Sequence, residues 1–419
     1  MIFFRATQNI NIKVTDNSLV KYFKMQKPSD LDNDTIYCTV YDDFLAIKKI
    51  FSGIGKKYEA KIISEKKMKS LKNFPKPIGI VNNNEHFFRT KQDQHVDCYL
   101  DQQFVDIHTQ IHTQKKEITL AVIGSMSNTI GQMVCALSAL RILHKTLQKR
   151  FKMVKIDLYF NASQNQYYSR DKEIFKHAPF INKIVPLSIT AKKLCEYDFY
   201  SDMGSFNETT YGEQFNFIDA YLYKFGIDPK TVNSNDKHNE IYLGDYTPKE
   251  ALQKELDRAQ SKGKLLLFHP YSAALQRSIP SDIARKMLQK IILKQKDTVV
   301  LSMLDIEKIE DDNYVNLSKL SKSFSDYAYI VSQMDAIITA DTATYHIADA
   351  YAIPTVAIFT NVEPAKRIEY YTQTKAVQVA DTAKSFSRFI HDNDTLTLFQ
   401  YEGWKKLKVK SLLTMLNLQ

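Results

Sequence analysis

The chain has 419 residues, 44% hydrophobic, 25% charged and 12% aromatic. At roughly 100–200 residues per domain this predicts two or three packed domains and argues against extended disorder. Eleven glycines and eleven prolines exclude collagen-like, linker-rich and many-bladed propeller architectures. The 57 Lys and Arg against 47 Asp and Glu, net +10, favour anionic partners. Lysines are scattered apart from short clusters at Lys66 to Lys72 and Lys405 to Lys410. No RNP-like aromatic motif, zinc-finger spacing or basic-region heptad occurs, so no nucleic-acid partner is expected. No run approaches the ~18 apolar residues that span a bilayer, and Met1 to Phe4 lacks a signal-peptide core. Cys38, Cys98, Cys135 and Cys195 form no CxxC pair. They read as reduced, mostly buried thiols of a cytoplasmic protein.

Three textures follow in chain order. Residues 1–115 mix lysine-rich segments with short alternating runs such as Ile10 to Val14 and Thr35 to Val40, the pattern of half-buried strands. Val105, Ile107, Thr109 and Ile111 alternate with Asp106, His108, Gln110 and His112, which predicts another strand. The whole stretch is expected to be a small β-rich or α+β accessory domain. From Glu117 the rhythm changes. Ile118 to Ile123 is an apolar strand, Gly124 to Thr129 a turn, and a helix opens near Gly131 with Met133, Val134, Leu137 and Leu140 on one face. Val154 to Tyr159 and Ile184 to Leu187 are further strands. A second series opens at Lys264: strand Leu265 to Phe268, helix Ser281 to Leu293, strand Thr298 to Met303, helix Phe324 to Met334, strand Ala336 to Thr339, helix Tyr345 to Ala352 and strand Thr355 to Phe359. Strands alternating with helices imply parallel βαβ units. The chain is therefore expected to be α/β, with two Rossmann-like domains (residues 116–245 and 246–390) facing a cleft, and a C-terminal helix in 391–419. Ligands of such sheets sit at the carboxyl ends of the strands.

The stretch from Ala336 to Phe359 reads strand, tight turn, short helix, Pro turn, strand. Asp341 and Thr342 can cap the helix, leaving the amides of Ala343, Thr344 and Tyr345 for an anion such as a diphosphate. His346, one turn in, can orient the loop or touch a phosphate. Taken by itself, a capped helix in a parallel sheet is the plainer alternative. The wider context resembles the ADP-heptose:lipopolysaccharide heptosyltransferase family, glycosyltransferase family 9, of GT-B fold. In that family Asp-Thr-x-x-x-His opens the helix facing the donor phosphates, as in Asp341 to His346. Arg277-Ser-Ile-Pro280 falls where the family carries a Lys-x-Trp-Pro-like motif, after the strand ending His269-Pro270. Arg277 is then the matching cation, and a guanidinium engages diphosphate oxygens bidentately. Phe359 to Arg367, Ile130 to Arg141, Lys176 to Pro186 and Tyr197 to Asp202 resemble further family segments, so the likeness spans roughly residues 117–375.

One position departs from the family pattern. After the helix-opening glycine the family places an aspartate, its general base; this chain has Gln132, which accepts no proton at neutral pH. Asp202 at a strand end is the substitute candidate and Glu208 the second, although a turn-capping role for Asp202 is equally consistent. The resemblance implies an inverting, metal-independent transferase without cofactor, taking a nucleotide-diphosphate sugar (ADP-heptose) as co-substrate. Its acceptor would be a lipopolysaccharide-core or other surface-glycan hydroxyl, or alternatively a protein Ser or Thr. Competing alternatives are a non-catalytic sugar-nucleotide-binding or scaffold protein, favoured by Gln132, and a sugar-nucleotide epimerase. Residues 1–115 would hold the acceptor or support oligomerisation.

Other signals are weaker. Gly53-Ile-Gly55-Lys-Lys-Tyr58 lacks the third glycine and the terminal Lys-Ser/Thr of a phosphate loop and reads as a plain loop. His108 and His112, with His95 and Cys98, would bind a metal only if brought together. Asp305 and Glu307 follow a strand and suit a nucleotide ribose or a solvated loop equally. Trp404 to Leu416 forms a basic amphipathic pattern, expected to pack across domains rather than dock peripherally on a membrane.

Overall fold

The computed structural model describes residues 2–7, 9–14, 21–26, 36–39, 41–55, 59–63, 104, 106–111, 113–161, 167–186, 189–194, 196–203, 215–360, 362–379 and 403–418. The chain divides into two compact units, Met1–Lys237 and His238–Gln419.

In the first unit, strand β1 (Ile2–Ala6) and hairpin β2 (Asn9–Val14) and β3 (Lys21–Gln26) precede β4 (Ile36–Thr39), helix α1 (Tyr41–Ile54) and β5 (Ala60–Ile62). β1 lies between antiparallel β4 and β5. Phe44, Ile47 and Phe51, spaced at one helical face, bury α1 against Phe4, Ala6, Tyr37 and Ala60. The other edge of this sheet is closed by β9 (Ile189–Thr190) pairing with β4.

The remainder of the unit is a four-stranded parallel sheet. Its strands β6 (Glu117–Ile123), β7 (Met153–Phe160), β8 (Ile181–Pro186) and β10 (Phe199–Asp202) stand in the order β10-β6-β7-β8. Helices α2 (Ile130–Gln148), α3 (Tyr168–Phe175) and α4 (Phe217–Lys224) accompany it. Val122, Ile123, Leu137, Leu140 and Leu158 are buried to the last atom or nearly so. Such two-sided burial explains the near-continuous apolar runs of a parallel sheet. Cys38 and Cys135 are buried thiols, whereas Cys98 and Cys195 lie outside the described residues.

The second unit holds α5 (Glu250–Gln260), β11 (Lys264–His269), α6 (Ser281–Lys294), β12 (Thr298–Ser302), β13 (Tyr314–Asn316), α7 (Phe324–Ser332), β14 (Ala336–Ala340), α8 (Ala343–Ala350), β15 (Thr355–Phe359) and β16 (Thr374–Gln378). Every adjacent pair in the order β13-β12-β11-β14-β15-β16 is parallel. Two parallel α/β sheets in succession are the element series expected of a GT-B chain.

Three expectations need correction. The strand through Ile107 is a single helical turn, Ile107–Gln110, because the Asp106 carboxylate accepts from the His108 amide at 2.7 Å and starts a helix. Ile107 and Ile111 are buried, while Val105 and His112 lie outside the described residues. Gly53 is not in a loop but in the last turn of α1, with Lys56 to Tyr58 undescribed. The C-terminal pattern is two segments, Gly403–Lys406 and α9 (Val409–Met415). Their apolar residues Trp404, Val409, Leu412, Leu413 and Leu416 join Leu288, Ile291 and Ile292 of α6 within the second unit's own core. Among the described residues no helix is long and apolar enough to cross a membrane.

Asp349, near the end of α8, makes the second unit pH-sensitive. Its Oδ2 accepts from the Asn239 amide at 2.8 Å and from Asn239 Nδ2 at 3.0 Å. Burial nevertheless pushes its carboxyl up to about 6. An acid whose folded pKa is raised favours folding when protonated, and this contribution is lost as pH rises from about 4 through about 6. Asp349→Asn keeps an acceptor for both bonds and removes the charge. It is expected to raise stability by about 1–2 kcal/mol at pH 8 and to give no advantage at pH 4, read by thermal unfolding at both values.

Candidate functional site

In the second sheet the strand order departs from chain order between β11 and β14. Connections leave to opposite sides of such a point and open a crevice at the carboxyl ends of the strands. The carboxyl ends here are His269 and Ala340, followed respectively by the turn bearing Arg277 and by the start of α8. The fold thus brings Arg277, Asp341, Thr342, Ala343, Thr344 and His346 to one switch point.

Thr342 is the N-cap of α8, its Oγ1 accepting from the Thr344 amide at 3.1 Å. The Thr344 amide is therefore engaged by the cap, contrary to the expectation that it points outward, and Asp341 does not cap. Instead Tyr345 Oη donates to Asp341 Oδ1 at 2.9 Å, and Asp341 Oδ2 lies 3.7 Å from Arg277 Nη1. The hydroxyls of Thr339, Thr342, Thr344 and Tyr327 form a chain with steps of 3.2, 2.9 and 2.7 Å. Asp341 and Thr344 are buried, while Thr342 and Ala343 keep partial exposure. Arg277, with 30% of its side chain exposed, belongs to a turn that is well tied down. Ser278 Oγ accepts from the Ser272 amide at 2.9 Å, and Thr360 Oγ1 donates to the Gln276 carbonyl at 3.0 Å.

His346 is buried, and its Nδ1 shares a 2.6 Å hydrogen bond with Tyr371 Oη. Burial, and then the charges of Arg367 and Arg277, hold its pKa well below the ordinary value. It is a buried, neutral ring held by Tyr371. His269 stacks on Tyr327 at 5.9 Å and is held down to about 4 by burial, so it too stays neutral. The side chains of Tyr327, Tyr345 and Tyr371 were not legible as site groups, although the Asp341 to Tyr345 spacing of four, at a helix start, was a usable signal.

At the carboxyl ends of β12 and β13 a cavity of about 560 Å³ is lined by Asp305, Glu307, Lys308, Asn316, Ser318 and Lys319, among others. Asp305 Oδ1 accepts from Asn316 Nδ2 at 2.6 Å and Ser318 Oγ at 2.9 Å. These bonds, Asn316 first, lower its pKa.

The first unit has its own switch point, between β6 and β10. Asp202 ends β10 opposite Ile123 in register, and Gly124, at φ 100°, turns the chain out of β6 toward α2. Ser127 Oγ donates to Gln132 Oε1 and accepts from the Thr129 amide, while Tyr221 Oη donates to the Met126 carbonyl at 2.5 Å. Gln132 and Asp202, which is buried, thus flank the same βα loop. Glu208 lies outside the described residues, as do His95, Cys98 and His112. Among the described residues no three His, Cys, Asp or Glu are grouped as metal ligands.

The order of strands in the second unit and the ligand-facing edge that it creates define a Rossmann-like α/β unit. Residues 306–391 match the family model of glycosyltransferase family 9 (heptosyltransferase), a stretch that includes Asp341 to His346 but not Arg277. No curated protein matches the sequence. Among solved structures, the chain is similar to ADP-heptose lps heptosyltransferase II of E. coli, at 13% identity over 72% of this chain and 97% of that one, TM-score 0.47. It is similar also to a family 9 glycosyl transferase of Veillonella parvula DSM 2008 (13%, 72% and 98%, TM-score 0.47). A third is TibC of enterotoxigenic E. coli H10407, described as an iron-containing dodecameric glycosyltransferase (10%, 73% and 79%, TM-score 0.44).

Proposed function

We propose that the chain is an inverting glycosyltransferase that takes its sugar from a nucleotide-diphosphate donor, ADP-heptose being the donor its family implies. One observation carries this reading: at the switch point of the second sheet a partly exposed arginine, Arg277, meets the hydroxyl-lined start of α8. A guanidinium and the positive end of a helix suit the charge that develops on a departing diphosphate. Asp305, kept ionised by Asn316 and Ser318, suits the hydroxyls of a ribose. On the acceptor side, the acceptor oxygen attacks the anomeric carbon as the bond to the diphosphate breaks, and Asp202 takes the proton. Gln132 orients the acceptor hydroxyl. The acceptor is a lipopolysaccharide or other surface-glycan hydroxyl, with a protein Ser or Thr as the alternative. Arg277 would screen the diphosphate without a metal, so binding is expected to survive EDTA.

Calorimetric titration with ADP, UDP and GDP tests the donor site. Selective ADP binding supports it, and absence of any nucleotide binding overturns it. With ADP-heptose and a lipopolysaccharide acceptor, Asp202→Asn is expected to lower transfer by about 10²–10⁴ while ADP binding is unchanged. A second reading, a sugar-nucleotide-binding protein without transfer, is favoured by Gln132 standing at the family's base position with its carbonyl engaged by Ser127. ADP binding without transfer to any acceptor would establish it.

A further inference from the structure

The two oxygens of the Asp341 carboxylate are held in different ways. Oδ1 accepts a 2.9 Å hydrogen bond from Tyr345 Oη. Oδ2 stands 3.7 Å from Arg277 Nη1, too long for an N–H···O bond yet well within Coulomb reach. Tyr345 is itself immobilised. It is 1% exposed, and its ring packs against His346 at 4.1 Å, Phe359 at 5.5 Å and Tyr371 at 6.3 Å. It lies four residues after Asp341, where the backward tilt of helical side chains brings it over the start of α8. Its hydroxyl is thus a fixed point belonging to the core around β15.

We propose that Tyr345 is a positioning residue for Arg277: by tying Asp341 Oδ1 to the core, it keeps the carboxylate from closing onto the guanidinium. Arg277 is then drawn over the helix start but stays open to an anionic ligand of the diphosphate class. The inference rests on the donor-site reading given above. An untethered carboxylate beside an arginine settles into a two-bond fork at about 2.8 Å. That fork uses the same N–H groups that a diphosphate needs, so the ligand would have to displace it. Tyr345→Phe removes the tether and leaves the ring packing in place.

The test is ADP titration of the wild type, Tyr345→Phe, Asp341→Asn and the double variant, with Arg277→Ala as reference and thermal unfolding as the check on folding. Tyr345→Phe is expected to weaken ADP binding by about five- to tenfold, the net worth of one ordinary hydrogen bond. Asp341→Asn, whose neutral amide does not compete for Arg277, is expected to bind ADP at least as tightly as wild type. In that background Tyr345→Phe is expected to change nothing. An unchanged affinity in Tyr345→Phe overturns the proposal, as does the same loss in both backgrounds, which marks a merely structural role. If Tyr345→Phe does not fold, Asp341→Asn alone decides: ADP binding weaker than wild type overturns the proposal. Wild-type binding that is lost in Arg277→Ala but kept in Tyr345→Phe overturns this inference and leaves the donor site standing. Absence of wild-type binding overturns both.

Discussion

Arg277→Ala is expected to weaken ADP binding about thirty- to hundredfold, corresponding to ~2–3 kcal/mol for charge-assisted bonds to a diphosphate. The magnitude follows from geometry. The guanidinium keeps partial exposure at the switch point, and its acidic neighbour Asp341, at 3.7 Å, is too far to satisfy its donors by hydrogen bonding. Arg277→Lys keeps the charge but loses the fork, so an intermediate loss of about tenfold is expected. Stability is expected to stay within about 0.5 kcal/mol. The turn carrying Arg277 is held by Ser272, Ser278, Gln276 and Thr360, not by the arginine side chain. Calorimetry at two salt concentrations checks both points, since the wild-type affinity falls with salt more steeply than that of the alanine variant.

The second large effect concerns stability. Gly263→Ala is expected to destabilise the protein by about 3 kcal/mol or more, lowering Tm by on the order of 10 °C. An added Cβ at Gly263 would stand 2.4 Å from the Asp297 carbonyl oxygen and 2.9 Å from its carbon. Those atoms are backbone and have little freedom. The Asp297 oxygen accepts from the Lys264 amide at 3.2 Å, and Lys264 and Thr298 open the β11–β12 pair in register. Relief of the clash therefore shifts the start of one of two interior strands. Gly53→Ala is the internal control: its Cβ meets nothing within 4 Å and it lies in α1, so a gain of a few tenths of a kcal/mol is expected. Differential scanning calorimetry of the two variants, with opposite signs expected, measures both.

Much of this architecture was legible because parallel strands buried on both faces leave an unmistakable trace. Leu265 to Phe268, Val299 to Leu301 and Ala336 to Thr339 are apolar runs bounded by polar turns, and each is a strand. The short edge strands Tyr314–Asn316 and Thr374–Gln378 left no such trace, because an edge strand is buried on fewer sides and carries lysine, asparagine and glutamine. Ile107 to Gln110 alternates like a strand, yet one local hydrogen bond from Asp106 turns it into a helix. Periodicity over four residues does not outweigh a cap.

At the site, local spacing alone fixes which residue types meet at the helix start, Asp341, Thr342 and His346, and it places Arg277 on the turn after β11. Their contacts depend on the folded chain. Thr342 caps while Asp341 does not, because Tyr345 reaches Asp341 from the core. His346 is a neutral, buried ring, because Tyr371, 25 residues away, bonds its Nδ1 and burial removes its charge. A capping preference is a local property that sequence carries. The partner of a buried polar group is chosen by what the folded chain brings within about 3 Å of it, and no spacing rule along the chain contains that distance.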